Sequence, residues 1–162
     1  MRRLAALAAL TGALTLVPAV GAAAAPAKSP ATEVCEPMVR NAIEASVGAP
    51  LPGPQQGAWA GRTYACTYPL NGGQLVLRVD DLRTKAKASA AYGRLVRATP
   101  RRTRLNGLGN GAFQAADGRL VAVKDQFLLR VDPSAVPAST PRADLAFAAV
   151  VAVMGCWSGG GT

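Results

Sequence analysis

Gln74-Leu75-Val76-Leu77-Arg78-Val79-Asp80 decides the fold class, because its apolar residues recur every second position, the period of a strand. Leu75, Leu77 and Val79 fall on one face, and Arg78 and Asp80 on the other. Nearly the same string returns as Gln126-Phe127-Leu128-Leu129-Arg130-Val131-Asp132. Each copy leads towards a helix. The echo is seven residues long, short of a demonstrated duplication, but it points to a sheet of two units with a helix after each.

Working back from Gln74, Asn71-Gly72-Gly73 is a hairpin turn whose glycines admit positive φ. Its first strand is Thr63–Tyr68, with Tyr64, Cys66 and Tyr68 on one face. Residues 49–62 are rich in proline and glycine and read as an irregular loop. Before them, Pro37 suits the first position of a helix whose face is Val39, Ala42, Ile43, Ser46 and Val47, and Gly48 and Pro50 stop it. Working forward, Asp81 is placed to cap a second helix running to about Thr99, where Pro100 ends it. A basic connector follows. Three short strands are expected near 111–115, 119–124 and 127–132, with turns at Asp117-Gly118 and Lys124-Asp125-Gln126. Thr140 and Pro141 open a last helix reaching about Cys156. Its apolar run, Leu145–Met154, is about half the length a bilayer requires, so it reads as a core helix. The order is α-β-β-α-β-β-β-α. It predicts an α+β fold with an antiparallel sheet of about five strands, covered by helices on one face.

The N-terminus reads as an export signal. Arg2 and Arg3 precede an apolar stretch from Leu4 to Val20, and Gly21–Ala25 supplies small residues for cleavage. Pro26 disfavours a cut after Ala25, so cleavage is expected after Ala24, with Ala27 the second choice. No cysteine ends the apolar run, and Glu33 is out of place in a lipidation box before Cys35. The expected organisation is a signal peptide at 1–24, a flexible leader at 25–34, one domain at 35–158 and a disordered tail at 159–162. No transmembrane anchor is expected to remain after cleavage, and the product is expected to be secreted. Removing 24 of the 162 residues leaves 138, one domain's worth and enough for a core of its own.

The chain has no histidine, which removes Ser-His-Asp and Cys-His activation, His-ligated zinc and the commonest general base. Cys156-Trp157-Ser158 has no imidazole to make a thiolate. Glycosidase chemistry needs two converging carboxylates, whereas Asp80, Asp81, Asp117, Asp125 and Asp132 fall at turns and strand ends. Neither enzymatic activity nor a cofactor is expected. Gly107-Leu108-Gly109-Asn110-Gly111 resembles a phosphate-cradling loop, but it leads into a strand instead of a helix and reads as a tight turn.

Charge gives the positive signal. The formal net charge is +9, and +7 once Arg2 and Arg3 leave, which favours envelope polymers or acidic lipid headgroups as partners. Nucleic acid is not expected, since aromatic residues are few and no basic-aromatic interleaving is present. At about 100° per residue, Arg83, Lys87, Arg94, Arg97 and Arg101 fall within about 40° of one line if the second helix persists past Pro100. Ala88, Ala91, Tyr92 and Leu95 take another face, and Arg102 and Arg104 extend the cluster. These five are the candidate anionic-surface residues. The expected function is an exported, non-catalytic binding module; the alternative is a carrier of a small apolar ligand in a cavity between sheet and helices.

Three cysteines in an oxidising compartment allow three pairings. Loop entropy favours Cys35–Cys66 by about 3.7 kcal/mol and either bond to Cys156 by about 4.6–4.9, a gap smaller than ordinary strain, so the pairing stays open.

Arginine far outnumbers lysine, alanine dominates and Ile43 is the only isoleucine, as in proteins of high-GC bacteria. Cys35, Cys66-Thr67-Tyr68-Pro69, Gly107-Leu108-Gly109 with Ala112-Phe113, Lys124-Asp125 and Cys156-Trp157 together resemble small exported actinobacterial domains of unknown function, many of them lipoproteins. The resemblance covers most of the mature chain. It implies an α+β sandwich and a disulfide between Cys35 and Cys66. This chain lacks the lipidation cysteine of the lipoprotein members, and the family supplies no activity to carry over.

Overall fold

The computed structural model describes residues 29–159. The signal peptide expected at 1–24, the first part of the expected leader and the tail expected at 159–162, from residue 160, lie outside the described residues. In chain order there follow a 3-10 helix (Pro30–Cys35), α1 (Pro37–Val47), β1 (Gln56–Ala60), β2 (Thr63–Leu70), β3 (Gly73–Asp81), α2 (Lys85–Ala98), β4 (Arg102–Leu105), β5 (Gly111–Ala115), β6 (Leu120–Lys124), β7 (Phe127–Asp132) and α3 (Arg142–Gly159). The fold is α+β. Its sheet has the order β1-β2-β3-β7-β6-β5-β4, and every neighbouring pair is antiparallel.

Seven strands replace the five expected. β1 lies in the stretch read as an irregular loop, and β4 in the basic connector. Both are edge strands, bonded on one side only. All five residues of β1 and three of four in β4 are exposed, so neither carries the apolar alternation that marks a strand. Their neighbours' unpaired ladders recruit them instead.

The expectation of helices on one face is also corrected. α1, α3 and the 3-10 helix cover one face, where Leu75, Leu77, Val79, Leu129 and Val131 meet Ile43, Leu145 and Val153. α2 lies on the other, where Ala88 and Ala91 meet Phe113, Val121, Val123 and Leu128. The cause is in β6, where Leu120, Val121, Ala122 and Val123 are all buried. A strand covered on both faces reads as a continuous apolar run and loses its alternation.

The flexible leader expected over 25–34 is folded from Ser29 onward. Ala31 and Val34 are fully buried, and Trp157 Nε1 donates to Pro30 O at 2.8 Å. Tyr68, the largest fully buried side chain, donates from Oη to Val34 O at 2.5 Å. Cys35 and Cys66 form a disulfide that ties the same 3-10 helix to β2. α2 starts three residues later than expected, since Thr84 rather than Asp81 accepts from the first turn, through Lys87 N at 3.2 Å.

Candidate functional site

The site begins with a charge imbalance in the chain. Between Asp81 and Asp117 there is no acidic residue, while Arg83, Lys85, Lys87, Arg94, Arg97, Arg101, Arg102 and Arg104 supply eight of the protein's eighteen basic ones. All eight are exposed. None forms an ion pair among the described residues. The carboxylates instead serve arginines elsewhere: Glu44 with Arg40, Asp81 with Arg62, Asp132 with Arg78, Asp117 with Arg119 and Asp80 with Arg130.

The helical line expected through five of these residues does not form. Lys87, Arg94 and Arg97 lie on α2. Arg83 precedes it with a φ of +69°, and Arg101 follows it in the turn before β4. Other residues rebuild the patch. In β4, Arg102 and Arg104 lie opposite Ala115 and Phe113, which puts both arginines on the α2 side of the sheet. Tyr92 of α2 sits beside them: burial pushes its phenol above the ordinary range, while Arg104 and Arg102 pull it down. Arg102 Nη1 also donates to Thr99 O at 2.7 Å, covering a carbonyl at the C-terminal end of α2. The result is a basic strip running over α2 and round to the β4 edge.

Beside α2 the sheet is less completely covered, and a cleft of about 160 Å³ opens there. Arg78 of β3, Arg130 of β7 and Arg119 from the turn before β6 all reach it, with Leu95 and Phe113 as apolar walls. Asp132 lies among them. Burial works to raise its carboxyl, but bonds from Ser134 and the nearby Arg78 and Arg119 hold it below the usual range. The sequence reading missed this cluster. The repeated Arg-Val-Asp was visible, but the strand register that brings Arg78 and Arg130 together was not.

The remaining candidates are structural. The glycine-rich loop is a turn. Gly109 has a φ of +60°, and a Cβ there would lie 2.5 Å from Val123 O, so only glycine fits against β6. Lys124 Nζ donates to Trp157 O at 2.8 Å and joins the sheet to the end of α3. Cys156 is a free, half-buried thiol; burial, then the charges of Glu33 and Glu36, push it up and away from thiolate chemistry. The space between sheet, α1 and α3, where a carrier would hold its ligand, is lined by packed side chains such as Ile43, Leu77, Leu129 and Val150. Among the described residues no cluster of His, Cys, Asp or Glu could hold a metal ion, and no helix is long and apolar enough to cross a membrane. No protein-family model, curated protein or solved structure matches the chain.

Proposed function

We propose that this is an exported, non-catalytic binding module of the cell envelope or extracellular space, and that it contacts anionic polymers or acidic lipid headgroups through the basic strip of α2 and β4. Charge segregation is the observation that carries this reading. The eight basic residues of 83–104 exceed the whole net charge of +7 left after Arg2 and Arg3 are removed. Each basic residue near an acidic membrane contributes about 1 kcal/mol, so a strip of this size would bind with no pocket at all. The Cys35–Cys66 bond is compatible with an oxidising compartment outside the cytoplasm.

The test is binding of the mature protein to phosphatidylglycerol vesicles and to a teichoic-type polymer across a salt series. Binding is expected at low salt and lost towards 1 M, where screening shortens to about 3 Å. Absence of salt-sensitive binding to either would overturn the proposal. N-terminal sequencing of secreted protein is expected to begin at Ala25 or, as second choice, Lys28.

A further inference from the structure

We propose that the cleft beside α2 binds a single phosphate group, as a monoester or diester, and that Arg78, Arg119 and Arg130 recognise it. The three come from β3, the turn before β6, and β7, and all line the same solvent-open space. About 160 Å³ is roughly ten times the 10–15 Å³ that seats one water, enough for a small anion with part of its ester substituent.

The hydrogen-bond inventory singles out this cluster. Each guanidinium carries five N–H donors. Arg119 commits Nε to Asp117 at 2.7 Å, and Arg130 commits Nη2 to Asp80. The Arg78 side chain makes no hydrogen bond among the described residues; its nearest carboxylate oxygen, on Asp132, is 3.8 Å away. Arg130 Nε is buried and donates to no protein acceptor. Arg130 Nε has no exposed surface to offer a ligand, but the other uncommitted amino groups of the three exposed guanidiniums remain available to a ligand oxygen. A phosphate monoester presents three non-bridging oxygens, one for each guanidinium, whereas a phosphodiester or a carboxylate presents two and engages the cluster less completely.

Two features limit the opposing terms. The side chains of Arg78, Arg119 and Arg130 are 41%, 57% and 43% exposed, so they need not be stripped of water before the anion arrives. The C-terminal end of α2 points its carbonyl dipoles this way, which would repel an anion, but Arg102 covers the Thr99 carbonyl. Lys87 and Arg97 do not line the cleft, so this site is separable from the outer basic strip.

The experiment titrates the mature protein with inorganic phosphate, glycerol 3-phosphate and a glycerophosphodiester, each against sodium chloride at equal ionic strength. NMR follows the arginine Nε–H signals. Saturable shifts of Arg78, Arg119 and Arg130 with a phosphate compound, and none with chloride, are expected. Arg78→Gln and Arg119→Gln are each expected to weaken binding by about tenfold or more, since a charge-assisted bond is lost. The pair Lys87→Gln and Arg97→Gln is expected to stay within about twofold, as distant surface charges are screened. Binding of the diester assigns the source to a headgroup or polymer linkage; binding of the monoesters alone assigns it to free or terminal phosphate. No phosphate response beyond chloride, or equal losses in all variants, overturns the proposal. Thermal midpoints of the Gln variants check that they remain folded. Because the readout uses small phosphates, it can fail while vesicle binding succeeds, and the reverse.

Discussion

Arg78 on β3 lies directly across from Arg130 on β7, at the centre of the sheet. The two hold the same place in the repeated strings 74–80 and 126–132, so a local two-fold axis passes between them. The axis relates two ion pairs, Arg130 to Asp80 at 2.9 Å and Arg78 to Asp132 at 3.8 Å. It stops at the strands. A two-fold normal to the sheet would place α2 and α3 on one side, whereas they pack on opposite faces.

The two ion pairs are unequal in energy. Asp80 is held by Thr63 Oγ1 at 2.6 Å as well as by Arg130, and its side chain is 17% exposed. Asp132 is 36% exposed and stands farther from Arg78. Asp80→Ala is expected to cost about 1–2 kcal/mol and Asp132→Ala under about 1, read from urea midpoints. Asp132 also accepts from Ser134 N at 3.0 Å, so equal costs would mean that this bond offsets the closer arginine and the Thr63 hydroxyl at Asp80.

The basic strip is tested by position, not by charge alone. Arg94→Ala with Arg97→Ala removes two positive charges from α2. Asn41→Glu with Ala45→Glu lowers net charge equally on the exposed side of α1, across the sheet. The first pair is expected to reduce vesicle binding several-fold, at about 1 kcal/mol per residue, and the second to leave most of it. All four positions are exposed, so stability is expected to change by under about 0.5 kcal/mol per site. Equal loss from both pairs would assign binding to net charge only.

Non-reducing peptide mapping is expected to recover Cys35 linked to Cys66, with Cys156 alkylated slowly when folded and readily when unfolded. The bond closes a loop of 31 residues, and opening it is expected to cost about 3.7 kcal/mol by the loop-entropy relation. Denaturant midpoints with and without reductant measure that loss.

Tyr68 predicts alkaline behaviour. Burial, against a smaller opposing pull from Arg40, raises its phenol far above the ordinary range. The folded state thus holds the proton more tightly than the unfolded chain does. Its contribution is complete below about pH 10, the unfolded value, and declines as pH rises beyond it. Tyr68→Phe is expected to lose about 1 kcal/mol at neutral pH with its bond to Val34, and to flatten the decline above pH 10. Unfolding curves between about pH 8 and 12 would reveal an unchanged slope if the assignment is wrong.

Phe113 tests the second core. It is 2% exposed, and its ring centroid lies 5.7 Å from that of Tyr92. Phe113→Ala is expected to cost about 3–5 kcal/mol, comparable with about 2–5 for Leu129→Ala on the opposite face. A sheet covered on one face only would tolerate the first change.

The strands Thr63–Leu70 and Gly73–Asp81 and the helix Pro37–Val47 were legible in the chain because their signals are local: alternation, glycines in a turn, proline at a first position and Gly48 at a last one. The basic character of residues 83–104 was legible for the same reason, as composition needs no partner. β1 and β4 were not, because an edge strand exposes its side chains and exists only through the ladder beside it. The placement of α2 followed from both faces of β6 being apolar, a pattern that a short run of Leu, Val and Ala shares with one turn of buried helix. Arg78, Arg119 and Arg130 are spread over more than fifty residues, and only the register of β3 against β7 and β7 against β6 brings them to one cleft. Register is a property of paired backbones, set once the two cores close around the sheet, so that part of the protein's chemistry appears only in three dimensions.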